Sequence, residues 1–178
     1  MKYIWVLLIS MIPIVELRGA IPVAESMGLN IFIYYPIAIL GNMLPVPFIY
    51  LFARKVLEWG KDKKLIGKFF TWCLEKGEKG GKKLKETAGN TGTFFALLLF
   101  VGIPLPGTGA WTGTLAASFL NLGFKTSIIA VTLGVLLAGI IMSLGSKIVA
   151  ILGWPGLLAI LTVILIIVAI SIIFKKKK

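Results

Sequence analysis

Histidine is absent from this chain of 178 residues and Cys73 is its only cysteine, which removes a disulfide framework, a Cys/His metal site and an imidazole proton relay. Acids are scarce as well: seven in all, none after Glu86, with arginine only at positions 18 and 54. Catalysis of the usual kinds has little to draw on, so no enzymatic activity, cofactor or metal is expected. Apolar sequence takes the place of all these. Hydrophobic residues make up 58% of the chain, charged ones 15%, and mean hydropathy is +0.97. No soluble domain of this size buries such uncharged runs, and the reading is an all-α integral membrane protein.

The net charge of +12 is clustered. Eleven of the nineteen basic residues lie between Arg54 and Lys85, and four more are Lys175 to Lys178. Both clusters border apolar spans, which points to membrane topology and attraction to anionic lipid, not to nucleic acid. Lys2 to Pro13 reads as mature structure and not as a cleaved leader, because a cut after Ala20 would place Arg18 where small residues are expected.

Three segments are long enough to cross a bilayer: Ile31 to Ala53, Thr126 to Ser146, and Gly156 to Phe174, each near the ~20 residues that ~30 Å of hydrocarbon requires. Pro36, Pro45 and Pro47 predict a kink in the first, and Pro155 a start for the last. Two further apolar stretches, Lys2 to Ile12 and Thr93 to Ile103, reach only ~16 Å before they meet Pro and Gly. Half-length helices followed by broken backbone are expected of re-entrant hairpins. Ile12-Pro13 and Leu29-Asn30 recur at an offset of 91 as Ile103-Pro104 and Leu120-Asn121, which suggests internal duplication.

Placing both basic clusters in the cytoplasm makes the two halves inverted, with hairpin tips meeting near the midplane, as in secondary transporters. The expected organisation is a first repeat over 1–53 (re-entrant hairpin 2–30, transmembrane helix 31–53), a connector over 54–92, and a second repeat over 93–178 (hairpin 93–121, transmembrane helices 126–146 and 156–174). Within the connector, Leu65, Ile66, Phe69, Phe70, Cys73 and Leu74 share one helical face, predicting an interfacial amphipathic helix that Gly77, Gly80 and Gly81 end.

Candidate site residues fall in the two hairpins. Pro13, Gly19 and Pro22 in the first, with Pro104, Pro106 and Gly113 in the second, are the expected breaks. A charge in a bilayer costs roughly 2.5 kcal/mol or more at the centre, so Glu16, Arg18 and Glu25, alone in apolar sequence, are expected to be functional. Glu16 and Glu25 are placed on opposite legs, with Arg18 between them. Two readings stay open: an Arg–Glu pair that pins the hairpin, or an Arg18 that holds a ligand's anion while a glutamate exchanges a proton. The second tip carries no charge, but its glycines free backbone N–H groups around Gly107, Thr108 and Gly109, with Trp111 and Thr112 beside them, a combination that suits an anion.

Glu16-Leu-Arg-Gly-Ala-Ile-Pro22 and Gly102-Ile-Pro-Leu-Pro-Gly-Thr-Gly-Ala-Trp-Thr-Gly113 resemble the signature segments of the small multi-drug export proteins over nearly the whole chain. That family is similar in plan to the DedA superfamily, with two re-entrant hairpins in an inverted repeat, whose members include flippases of polyprenyl phosphate carriers. DedA proteins typically carry an arginine in their second hairpin; this chain has none after Arg54, so Arg18 alone would meet the phosphate. The resemblance implies a multi-pass inner-membrane transporter of an amphiphilic anion, with anionic or polyprenyl phosphate lipid as partner and proton coupling through Glu16 or Glu25. Export of cationic drugs, with the two acids as the cation site, is the alternative within transport. An uncoupled scramblase or membrane scaffold is the alternative from another class. The sequence leaves the oligomeric state open, a homo-oligomer included.

Overall fold

The computed structural model describes residues 1–63, 67–105 and 107–175, with Leu57, Ala150, Leu152 and 154–175 described by backbone alone. Every element among them is helical. The chain divides into two units, Met1–Met142 and Ser143–Lys178.

In the first unit, α1 (Lys2–Met11) stops where Ile12 turns extended, at φ −70 and ψ 129. The ring of Pro13 disfavours a helical conformation in the residue before it. After this four-residue break, α2 runs Glu16–Ser26, and α3 (Ile31–Met43) opens with Asn30 as its N-cap, the side chain accepting from Phe32 N–H at 2.9 Å. A turn at Leu44-Pro45 leads into α4 (Val46–Lys61), which carries Pro47 in its first turn, where a missing N–H costs no bond. Next, α5 covers Gly67–Gly102 but is interrupted at Gly89, whose φ of 66 and ψ of −179 lie in a region essentially closed to other residues. A seven-residue break precedes α6 (Ala110–Phe119), and α7 extends over Phe124–Lys175 with a second interruption at Gly153. Two stretches are long and apolar enough to cross a bilayer: Ile31–Lys61, counting α3 and α4 together, and Phe124–Val149.

Several expected breaks lie elsewhere. Gly19 and Pro22 are inside α2, and Gly113 is inside α6. The chain turns at Ile12–Val15 and between Gly102 and Ala110 instead, at Pro13 and Pro104; Pro106 lies outside the described residues. Consequently Glu16 and Glu25 occupy the two ends of one helix, not opposite legs of a turn. Nor do Gly77, Gly80 and Gly81 end a helix. They lie within α5, where a Cβ on Gly77 would meet Phe119 O and one on Gly81 would meet Leu120 O. These glycines let α5 approach the end of α6. Of the expected connector face, Phe70, Cys73 and Leu74 are half-buried and Phe69 is exposed, while Leu65 and Ile66 lie outside the described residues.

The same packing occurs twice in this unit. A Cβ on Gly41 of α3 would strike Ser10 Oγ and Leu7 O of α1; one on Gly134 of α7 would strike Val101 and Leu98 O of α5. The pairs Leu7/Leu98 and Ser10/Val101 are offset by 91, and Gly41/Gly134 by 93. The shift arises because the second break is three residues longer and α6 is one residue shorter than α2. Both α2 and α6 then end alike. Gly28 N–H donates to Glu25 O and Leu29 N–H to Ala24 O, while Asn121 N–H donates to Ser118 O and Leu122 N–H to Ala117 O. Each cap has a residue at positive φ, Gly28 (66) and Asn121 (52). Leu29-Asn30 therefore corresponds to Leu122-Gly123 in structure, not to Leu120-Asn121.

Tyrosines stitch the two copies together. Tyr35 OH donates to Leu136 O at 2.7 Å, Tyr50 OH donates to Leu122 O, and Ser118 Oγ donates back to Tyr50 O at 2.9 Å. The core is built from small and β-branched side chains, among them Val6, Ala20, Ile21, Ala24, Ala38, Ala117, Val131 and Val135. Such residues allow the close helix approach that packing in lipid relies on. In the second unit the backbone stays helical up to Lys175 apart from Gly153.

Candidate functional site

The two helix breaks meet, and the first sends its charges into the second. Glu16 begins α2 at a φ of 51, beside Ile14 at a φ of 72. Positive φ is rare in residues that carry a side chain, and most of all in a β-branched one such as Ile14. Ile14 itself is 91% exposed, whereas Glu16 is only 3% exposed. Its carboxylate lies on the first turn of α6: Ala110 N–H donates to Oε2 at 3.2 Å and Trp111 N–H donates to Oε1 at 3.0 Å. A helix N-terminus presents unpaired N–H groups and a partial positive charge, so a carboxylate is a fitting occupant.

Gly109 makes that approach feasible. Its φ of 150 excludes other residues, and a Cβ there would overlap the Glu16 carboxylate. Arg18, two residues along α2, extends to the same loop. Its Nη1 donates to Leu105 O, and its Nη2 donates to Thr108 Oγ1 at 2.8 Å. Thr108 in turn ties the loop together, within hydrogen-bond reach of Ile103 O at 2.8 Å and Leu105 O at 2.9 Å. A guanidinium carries five N–H donors and two are used among the described residues, which leaves three there for another acceptor.

The structure thus brings together Glu16, Arg18, Thr108, Gly109 and Trp111. Gly107 is in the same loop, exposed and at a φ of 81, and Thr112 Oγ1 lies 3.5 Å from Gly109 O on the first turn of α6. Glu25 stands apart, at the far end of α2, where it accepts from the buried hydroxyl of Tyr34. No Arg18–Glu ion pair forms among the described residues, although the two side chains extend from neighbouring positions to adjoining parts of one loop.

Three features escaped the sequence reading. Tyr34 as the partner of Glu25 carries no signal, being one aromatic in an aromatic-rich span. The Ala110 and Trp111 N–H groups become visible only once the start of α6 is known. Asn42 did have a signal, as a lone amide in Leu40-Gly-Asn-Met43. It is fully buried, and neither of its amide atoms has a partner among the described residues. Its neighbour Gly41 packs on Ser10, just before the first break. The indole Nε1 of Trp111 is likewise buried and without a partner among the described residues.

Comparison with curated proteins and with solved structures finds no match. A family match does exist, and it runs from residue 16 to residue 141. It starts at the first residue of α2 and takes in the second break and everything from α2 through α6, and so the chain belongs to the family described as "putative small multi-drug export protein".

Proposed function

We propose that this chain is a membrane transporter whose cargo is an amphiphilic anion, of the polyprenyl phosphate class, and that Glu16 holds the cargo's place when none is bound. The family's description as an exporter and the two apolar spans support transport across a membrane. The observation that carries the anion reading is the buried carboxylate on the Ala110 and Trp111 N–H groups. A site that already binds one anionic group is built for another.

A phosphate head competes with Glu16 for those N–H groups, while the three spare donors of Arg18 stand beside it and the Trp111 indole N–H adds one more. A proton taken up by the Glu16 carboxylate weakens its hold on α6 and yields the site to the phosphate. Return of the proton to the other side restores the carboxylate and expels the cargo. In this reading the two helix–break–helix elements are re-entrant hairpins of an inverted repeat, with residues 54–92 between them. Cationic export, the second reading, draws on the family's description and on Glu25 as a further acid. Glu16 serves a cation poorly while two N–H donors occupy it.

Proteoliposomes loaded separately with a fluorescent short-chain polyprenyl phosphate and with ethidium, with and without a pH gradient, test the proposal. Gradient-dependent movement of the phosphate lipid supports it, and movement of ethidium alone replaces it with the cation reading. Movement of both without any gradient response identifies a scramblase.

Two further outcomes follow. Arg18→Lys is expected to reduce phosphate-lipid transport about tenfold or more while the protein still folds, because the planar fork is lost and one charge-assisted hydrogen bond contributes about 1.5 kcal/mol or more. Equal loss of folded protein in Arg18→Lys and Arg18→Ala would make Arg18 a structural brace. In a Cys73→Ser background, single cysteines at position 83 and at the C-terminus are expected to label from the cytoplasm and one at position 151, exposed two residues before Gly153, from outside. Labelling of position 83 and the C-terminus from opposite faces contradicts the inverted arrangement.

A further inference from the structure

Away from the breaks, α5 and α6 enclose an apolar groove of about 260 Å³. Leu84, Thr93, Leu97 and Phe100 of α5 line one side, and Ala116 of α6 and Leu120 just past its end the other. The interruption at Gly89 lies between Leu84 and Thr93, so that both halves of α5 face the same channel. Thr93 is the only hydroxyl in the lining, and it is bonded to Gly89 O at 2.8 Å, which leaves its methyl as the group with no polar demand.

Leu120 also lines a second hollow, of about 310 Å³, whose other walls are Glu78, Lys82, Lys85 and Asn121. Lys85 Nζ is 3.3 Å from Asn121 O, and Lys82 Nζ is 3.9 Å from the Glu86 carboxylate. The one acid in this hollow, Glu78, is held by Arg54 at 2.7 Å, so the two lysines set the sign of the field. An oily channel thus opens beside a cationic cup, with Leu120 common to both.

We infer that this composite groove binds an anionic lipid, with an acyl chain along α5 and α6 and its phosphate at Lys82 and Lys85. The groove is smaller than the roughly 300–1,000 Å³ pockets that enclose a drug-sized molecule, which suits one chain of a lipid whose remainder stays in the bilayer. Charge chooses among amphiphiles: lysines beside the membrane favour an anionic head and disfavour a cationic one. The site shares no residue with the meeting of the breaks and stands independently of what is transported.

The test uses the full-length protein in neutral detergent, with melting temperature followed as phosphatidylglycerol, phosphatidylcholine or water-soluble glycerol phosphate is added. Phosphatidylglycerol is expected to stabilise with an apparent affinity roughly tenfold or more above phosphatidylcholine, as two lysines at a membrane surface provide, and glycerol phosphate is expected to do nothing. The Lys82→Gln/Lys85→Gln variant should lose the preference between the two lipids. Ala96→Phe, which fills the channel from an exposed position of α5, should weaken both lipids. Lys79→Gln/Lys83→Gln, from exposed positions of the same helix that do not line the cup, should behave as wild type. Equal losses in the two lysine pairs would reduce the effect to general surface attraction and overturn the site. A stabilising effect of glycerol phosphate, or an Ala96→Phe protein with unchanged lipid response, would overturn it as well.

Discussion

Glu16→Ala is expected to lower unfolding stability by about 3 kcal/mol, a large loss for one side chain on the surface of a helix. The Ala110 and Trp111 N–H groups would both lose their acceptor in a buried place, and each buried group left without a partner costs about 1–3 kcal/mol. Glu16→Gln should cost less, since the amide oxygen still accepts one N–H, but its NH₂ cannot accept the other. Reversible thermal or denaturant unfolding in detergent measures the series. The same Gln variant separates structure from transport. It cannot release a proton, so its transport is expected to lose the response to an imposed pH gradient, whereas Glu25→Gln, bonded to Tyr34 away from the breaks, should retain it. A Glu16→Gln protein that keeps its pH response rules out proton coupling at this position.

Gly41→Leu is expected to be the most damaging single change outside the site. Even a methyl group there overlaps Leu7 O, a backbone atom, as well as Ser10 Oγ, so α1 and α3 must separate before anything larger fits. Overpacking of this kind typically costs 1–3 kcal/mol and sometimes more. The duplicate contact supplies the control. Gly134→Ala should destabilise for the same reason at Leu98 O, while Gly145→Ala, with nothing nearby, should be neutral or gain up to about 1 kcal/mol from helix propensity. If the three variants unfold alike, the close-contact reading of the two glycines is wrong.

Much of the architecture was legible in residues. Pro13 and Pro104 act on the residues just before them, and that local effect is why both breaks fall where the sequence predicts. The spans at Ile31 and Thr126 follow from composition alone. Gly77, Gly80 and Gly81 misled because a glycine that ends a helix and one that admits a neighbour look the same in sequence, and the neighbours, Phe119 and Leu120, are about forty residues away. Pro22 misled differently. In an aqueous helix it is a breaker, but between packed apolar helices the missing bond is tolerated, and α2 continues through it. Arg18 and Thr108, both singled out in the sequence, are hydrogen-bonded in the structure. That Glu16 would accept from the Ala110 and Trp111 N–H groups was not legible, because it depends on the contact between segments more than ninety residues apart.

The extra three residues in the second break, and the carboxylate found only in the first, have a bearing on energetics. Two identical halves that traded places would give a balanced seesaw, with both positions equally populated. Counted back from the matching caps, the position that corresponds to Glu16 is Gly109, which has no side chain with which to cap α2 in return. Were the halves to trade places, the trade would be uneven and the seesaw would rest with one end down. In the transport cycle proposed above, cargo or a proton would supply the counterweight, since only a ligand with unequal affinity for two positions shifts the balance between them.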